Sequence, residues 1–161
     1  MIRPIDDRIL GSVLRRSPPA PTEVHLFTTG YFYVRLCRAV LASTTAAGVL
    51  SGPFRALPVD LAERAMRALL VLPEEIGLVS LRELGPVIGQ LRTRHDLNVL
   101  GMEVLAAAVH LEAEVRLSAP SPRLEAALRR EARPVEVVER ANRRMAVRQA
   151  ACGTRAPLAG R

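Results

Sequence analysis

The chain has 161 residues, a length that predicts one compact domain whose core needs no disulfides or metal ions. Hydrophobic residues make up 49% and charged residues 24% of it, which excludes wholesale disorder. With 3% aromatic residues and no Trp, a surface of stacked aromatic platforms for nucleic acid is disfavoured, and two cysteines, Cys37 and Cys152, exclude a disulfide scaffold and a complete cysteine zinc site.

Residues 1–22 are predicted to form an N-terminal arm or linker, because they end in the proline-rich stretch Ser-Pro-Pro-Ala-Pro at 17–21. The N-terminus lacks the apolar segment of a secretory signal. The longest uncharged run, 39–54, is too short and too polar to cross a bilayer. We expect a cytoplasmic protein with no membrane partner.

Strands and helices alternate over the next part of the chain. Hydrophobic periodicity predicts strands at 24–27, 76–79, 115–119 and 135–138. It predicts helices from Tyr31 to about Gly48, at 60–72, from Ser80 towards His95, at 99–111 and at 121–130. This order favours a three-layer α/β/α fold with a short parallel sheet over residues 23–139. In such folds the chemistry lies at the carboxyl ends of the strands.

Positive charge is concentrated at the C-terminus. Of 23 basic residues, all Arg, six lie in 140–161 with no acid, whereas residues 1–139 hold 17 Arg and 16 acids. A basic tail is typical of a segment that binds an acidic surface, most often RNA or DNA, and equally of a solvated terminus. The candidate nucleic-acid-binding residues are Arg140, Arg143, Arg144 and Arg148, whose spacing places them on adjacent helical faces.

Four segments together resemble PIN domains. Val-Ser-Leu-Arg-Glu-Leu at 79–84 resembles the family's strand-to-helix step with an acidic residue, Glu83. The run that begins at Glu103 and is rich in Ala and Leu resembles its later helix. Ser-Ala-Pro-Ser-Pro-Arg-Leu at 118–124 resembles a strand end and helix start that usually carry Asp, and 24–29 lies where the opening strand ends in Asp.

The resemblance implies a nuclease fold in which four acids hold Mg²⁺ or Mn²⁺ against a phosphodiester. This sequence departs from it in two places, with Phe27 or Thr28 at the first acid and Ser121 at the fourth. Glu83 and Glu103 are then the candidate catalytic and metal-binding residues, with the hydroxyls of Thr28 and Ser121 as weaker neutral ligands. Two carboxylates hold Mg²⁺ or Mn²⁺ weakly, with substrate phosphate completing the site.

The same residues have simpler explanations. Glu83 stands three residues after Ser80, the spacing of a helix capping box, and Ser121 suits an N-cap. Glu103 lies near a helix start, where the helix dipole favours a carboxylate. A stripe with Tyr31 and Tyr33 suits either a core face or the contact of a homodimer.

Three functions are therefore compatible with the sequence. The leading hypothesis is a PIN-like module that is catalytically weak or inactive and binds RNA or a partner protein such as an antitoxin. The alternative is a Mg/Mn-dependent endoribonuclease of toxin–antitoxin type that uses Glu83 and Glu103. A third is a structural or regulatory subunit in which the site has no remaining role.

Overall fold

The computed structural model describes residues 2–15, 25–42 and 48–138. Within these ranges the chain forms five short strands and seven helices. In chain order they are β1 Ile2–Pro4, α1 Asp7–Leu14, β2 His25–Thr29, α2 Gly30–Leu41, α3 Gly52–Arg55, α4 Val59–Leu70, β3 Ile76–Val79, α5 Leu81–Arg92, α6 Val99–His110, β4 Val115–Leu117, α7 Pro122–Arg130 and β5 Val135–Val137.

The strands all run parallel. One group has the order β1-β2-β3, with Pro4 of β1 opposite Phe27 of β2, and the other pairs β4 with β5. A parallel bridge between Ile5 and Arg116 joins the two groups. The order across the sheet is therefore β3-β2-β1-β4-β5, with β1 at its centre.

Two cores lie on opposite faces of this sheet. The α1 core contains Ile5, Leu10, Leu14, Leu36, Phe54, Ala65, Leu69 and Ile76. The α6 core is built on the buried run Met102–Ala108 of α6, with residues of α5, α7, β3 and β4. Leu26 packs against the first core and the adjacent Phe27 against the second, as alternation along a strand requires. The predicted three-layer α/β/α architecture with a short parallel sheet is confirmed.

The prediction of an arm over 1–22 is wrong for the part that the structure describes. Residues 2–5 form the central strand with its bridge, and α1 buries Leu10 and Leu14 in the α1 core. Proline is rare in central strands because it donates no N–H to the ladder. Pro4 therefore argues against a strand in the sequence, and β1 was not predicted. Residues 16–24 lie outside the described ranges, as does the predicted tail at 140–161.

Ion pairs cross the junction between the two strand groups. Arg3 of β1 lies 3.0 Å from the Glu114 carboxylate and 3.7 Å from that of Glu136, which also lies 2.7 Å from Arg116. These contacts connect β1, β4 and β5 at a place where the backbone supplies a single bridge. No helix in the described ranges has the length and apolar character needed to cross a bilayer.

If β1 is a central strand, truncating its buried side chain destabilises the whole domain. Ile5 is 2% exposed, so we expect Ile5→Ala to lower the free energy of unfolding by about 2–4 kcal/mol. Ile2→Ala is the matched control, because Ile2 is 38% exposed and its truncation should cost well under half as much. Urea unfolding measures both free energies. If neither substitution changed the free energy of unfolding, the N-terminal residues would be an arm rather than a central strand.

Candidate functional site

Polar residues gather at the edge of the sheet where the parallel strands end. Asp6 follows β1, Thr28 and Thr29 close β2, Ser80 follows β3 and Ser118 follows β4. We call this edge, with these five residues, the strand-end edge. On one side of β1, β2 pairs with β1 and β3 pairs with β2. The next strand in the chain, β4, lies on the other side of β1. The gap between β1 and β4 is thus the topological switch point, where open α/β sheets bind their ligands.

Asp6 occupies this switch point, and its carboxylate is already hydrogen-bonded. One oxygen accepts from the backbone N–H groups of Arg8 (3.1 Å) and Ile9 (2.9 Å), which caps the N-terminus of α1. The other oxygen accepts from the Ser118 N–H at 2.6 Å. The side chain is 8% exposed. Asp6 therefore joins the start of α1 to the end of β4.

Glu103 plays a similar part at the end of β2. It lies in the otherwise uncharged buried run of α6 and is fully buried, at 0% exposure. Thr29, the N-cap of α2, forms no side-chain cap, and the Tyr31 N–H instead donates to the two Glu103 oxygens at 3.3 and 3.1 Å. Glu103 thus caps α2 from 72 residues away in sequence, where the helix dipole favours its charge.

Burial raises the pKa of Glu103 above its ordinary value of 4.5. The Thr29 side chain and the backbone N–H groups of Tyr31 and Gly30 oppose this rise. Burial likewise raises the pKa of Asp7, against the lowering effect of Arg35, whose Nε lies 3.2 Å from the Asp7 carboxylate. Desolvation therefore disfavours the charged form of both acids.

The hydroxyl of Thr28 is a buried atom without a hydrogen-bond partner among the described residues, whereas the Thr29 side chain lies beside the Glu103 carboxylate and lowers its pKa. The two residues are 0% and 1% exposed. Thr28 is one of the two weaker predicted ligands, with Ser121, and it lies at the strand-end edge. Buried hydroxyls normally find a partner, so the Thr28 hydroxyl is an unsatisfied polar group of this edge.

Glu83 and Ser121 lie at the starts of α5 and α7. Glu83 is exposed and completes a capping box: its carboxylate accepts from the Ser80 N–H at 3.1 Å, and its own N–H lies 3.4 Å from the Ser80 hydroxyl. Ser121 is the N-cap of α7 but its side chain forms no cap, and its N–H donates to Glu125 at 2.9 Å. The capping explanation of Glu83 therefore matches its observed contacts.

The opening strand of the sheet is β1 rather than the strand of Phe27 and Thr28. Asp6 follows that first strand, whereas Phe27 and Thr28 lie in β2; the expectation that the family's first acid position lacks an acid stays a prediction. Sequence reasoning missed Asp6 because residues 1–22 were interpreted as an arm. The available signal was an acid pair directly after a short apolar stretch, in the position of a helix cap. Arg140, Arg143, Arg144 and Arg148 lie outside the described ranges.

The residues at this edge do not fit a Mg²⁺ or Mn²⁺ centre. Such ions are held by carboxylate oxygens directed at them, whereas the Asp6 and Glu103 oxygens are directed at backbone N–H groups, which compete with a cation for them. In the described part of the chain, no three His, Cys, Asp or Glu side chains are grouped as metal ligands. The two carboxylates are positioned to stabilise helix starts.

No family model matches the sequence, and neither does any curated protein. The 2.2 Å structure of VapBC-1 from nontypeable Haemophilus influenzae is similar to this chain, with 13% identity and a TM-score of 0.47. The similarity covers 85% of this chain and 98% of that one. A likeness at this identity and TM-score says nothing about activity.

Glu103→Gln tests the buried cap, because glutamine keeps an acceptor oxygen and removes the charge. Since the pKa of Glu103 is raised above 4.5 in the folded chain, the unfolded chain releases this proton at lower pH. The folded state therefore loses stability as pH rises from about 4.5 through the raised pKa. We therefore expect the free energy of unfolding of E103Q, relative to that of the wild type, to increase as pH rises over this range. Urea unfolding at several pH values measures this difference.

Glu103→Ala is the contrasting variant. It leaves the Tyr31 N–H unpaired and opens a cavity in α6, so it should be less stable than the wild type across the same range. If the free energy of unfolding of E103Q instead fell relative to that of the wild type as pH rises, the ionised carboxylate would be the favoured form at this position.

Proposed function

We propose that this chain is a PIN-like module that binds RNA and does not cleave it. The observation that carries the proposal is the state of two acids, Asp6 at the strand-end edge and Glu103 at the start of α2. Asp6 and Glu103 accept hydrogen bonds from the starts of α1 and α2, and Glu103 is fully buried. An acid that ligates a catalytic metal instead directs a carboxylate oxygen at the ion.

Binding of RNA is supported by charge. The net charge of +7 comes almost wholly from the six arginines of 140–161, a segment without acids. Arginine pairs with phosphate through its planar set of donors, and neutralised phosphates release counterions. A basic segment next to a folded domain is therefore suited to a polyanion, and RNA is the polyanion that the PIN-like resemblance favours.

The test uses the full-length protein and a labelled single-stranded RNA. We expect binding that weakens steeply with salt, and an RNA that stays intact in Mg²⁺ or Mn²⁺. Glu83→Gln and Glu103→Gln should leave binding within about twofold of the wild type, since neither carboxylate faces substrate as a metal ligand. Fluorescence anisotropy measures the binding and gel analysis of the same samples shows the state of the RNA.

A tail variant with Arg140, Arg143, Arg144 and Arg148 all changed to Gln measures the contribution of the tail. Each phosphate contact that is lost should reduce the slope of log K against log salt by about 0.7. Its matched control changes four exposed arginines of the described surface, Arg38, Arg67, Arg92 and Arg130, which alters the net charge equally.

Two results would contradict the proposal. Metal-dependent hydrolysis lost in both glutamine variants would establish the endoribonuclease alternative that uses Glu83 and Glu103. Absence of salt-dependent RNA binding by the wild type would remove the binding function, and would favour a partner protein such as an antitoxin.

A further inference from the structure

We propose that two copies of this chain pair through β3, the strand at one side of the sheet. The two β3 strands run antiparallel about a twofold axis at Leu78 and join the described strands of both copies into one sheet of ten. The inference goes beyond the proposed function, because it concerns the side of the sheet rather than its strand-end edge. The partner is a second copy of the same chain.

The two outer strands of the sheet differ in how open they are to pairing. In the order β3-β2-β1-β4-β5, β3 and β5 each have a neighbour on one side. Such strands present unpaired N–H and C=O groups, and a charge or a proline on the strand discourages another chain from pairing there. β5 contains Glu136 and directly follows Pro134. β3, Ile76–Val79, contains neither a charge nor a proline.

The side chain of Leu78 makes the outer side of β3 apolar. Ile76 packs in the α1 core and Val79 in the α6 core, so the strand is fixed from both faces. Leu78 points to the same face as Ile76, because side chains alternate along a strand. It is nevertheless 47% exposed. A second strand beside β3 would remove apolar surface of Leu78 from water, which is favourable.

Symmetry allows few ways to pair β3 with itself. A twofold axis perpendicular to the sheet makes the two strands antiparallel and keeps equivalent faces of the two sheets on the same side. Residues directly opposite each other in an antiparallel pair point to the same face. The axis must therefore pass through a residue rather than between two residues.

The charges that flank β3 select Leu78 as that residue. Glu74 lies four residues before Leu78, and Arg82, in the first turn of α5, lies four residues after it. An axis at Leu78 thus places Glu74 of each copy at the level of Arg82 of the other. Both side chains are exposed, and within the described ranges neither forms an ion pair. Opposite charges across a strand pair are favourable.

Other positions of the axis lack this complementarity. An axis at Val79 would place Glu75 of each copy at the level of Glu83 of the other, and like charges in that position are unfavourable. An axis at Ile76 or Gly77 brings no opposite charges of the flanking segments to the same level. The register centred on Leu78 is therefore the one that the sequence of charges favours.

The same arrangement determines where the two strand-end edges lie. Because the two β3 strands run antiparallel, the carboxyl ends of the two sheets face opposite directions. Each copy therefore keeps its own strand-end edge, and the dimer has two separate edges rather than one joined surface.

The first experiment is sedimentation equilibrium of the full-length protein at several concentrations. We expect a dimer for the wild type. Leu78→Lys should weaken dimerisation about tenfold or more, because it brings two like charges together on the axis. The matched control is Val59→Lys on α4, which adds the same charge at an apolar residue that is 77% exposed and should leave the dimer unchanged. Urea unfolding should show both variants folded.

A charge exchange tests the register. Glu74→Arg and Arg82→Glu should each weaken the dimer about fivefold, because each places like charges at the same level. The double variant restores opposite charges, so its dimerisation should return to within about twofold of the wild type. A double variant as weak as the two single variants would overturn the register centred on Leu78.

A cysteine at the axis provides a second test of the register, with Cys37→Ala and Cys152→Ser made in both proteins. Residues opposite each other across the axis have Cα atoms about 5 Å apart, within the range of a disulfide. Leu78→Cys should therefore give a disulfide-linked dimer on mild oxidation. Ser80→Cys is the control, because the two positions would lie four residues apart along the strands, about 14 Å, and should not cross-link.

Three results would overturn the proposal. They are a wild type that is monomeric at every concentration, a dimer that Leu78→Lys leaves intact, and cross-linking of Ser80→Cys as readily as of Leu78→Cys. A dimer that survives Leu78→Lys would place the contact elsewhere, such as the stripe with Tyr31. RNA binding by the wild type is measured separately, so this inference and the proposed function can fail independently.

Discussion

The carboxylate of Asp6 holds the two halves of this fold together. It caps α1 through Arg8 and Ile9, and it accepts the Ser118 N–H at 2.6 Å, which joins the central strand to β4. The backbone supplies one bridge across that junction, between Ile5 and Arg116. Because Asp6 lies at the topological switch point, the polar group in the natural position for a ligand is instead used to build the sheet.

Glu103 has a similar structural role at the end of the neighbouring strand, β2, where it accepts the Tyr31 N–H. A charge in the buried run of α6 is costly unless it is hydrogen-bonded, and the start of α2 supplies both donors and a favourable dipole. The two acids thus satisfy helix ends that would otherwise be uncapped or unpaired. Their hydrogen bonds to helix starts give both acids a structural role.

Most elements after residue 25 could be predicted from the sequence, because their apolar spacing is regular. The strand at 76–79 and the helix starting at 99 agree with the predicted bounds, and α7 differs by one residue at its start. The sequence did not reveal β1, because Pro4 and Arg3 break the pattern of a central strand, nor the short helix α3. Both omissions concern segments whose structure depends on tertiary packing rather than on local periodicity.

The candidate site was predictable only in part. Glu103 was identified as unusual because it is a lone charge in an apolar helix, yet its contact with Tyr31 spans 72 residues and leaves no local trace. Asp6 was not identified because β1, the strand before it, was not predicted. The sequence around Glu83 is compatible with a metal ligand and with a helix cap, and only the hydrogen bonds to Ser80 show the cap.

The most direct test of this account is a titration of Mn²⁺ into the ¹⁵N-labelled full-length protein, followed by the backbone amide signals of Tyr31 and Ser118. These N–H groups donate to Glu103 and Asp6, so a metal on either carboxylate would broaden them first. We predict that both signals persist through a stoichiometric addition of Mn²⁺, with no more broadening than buried amides elsewhere in the sheet. Selective loss of both signals at substoichiometric Mn²⁺ would show that the two acids bind metal, and would contradict their role as structural helix caps.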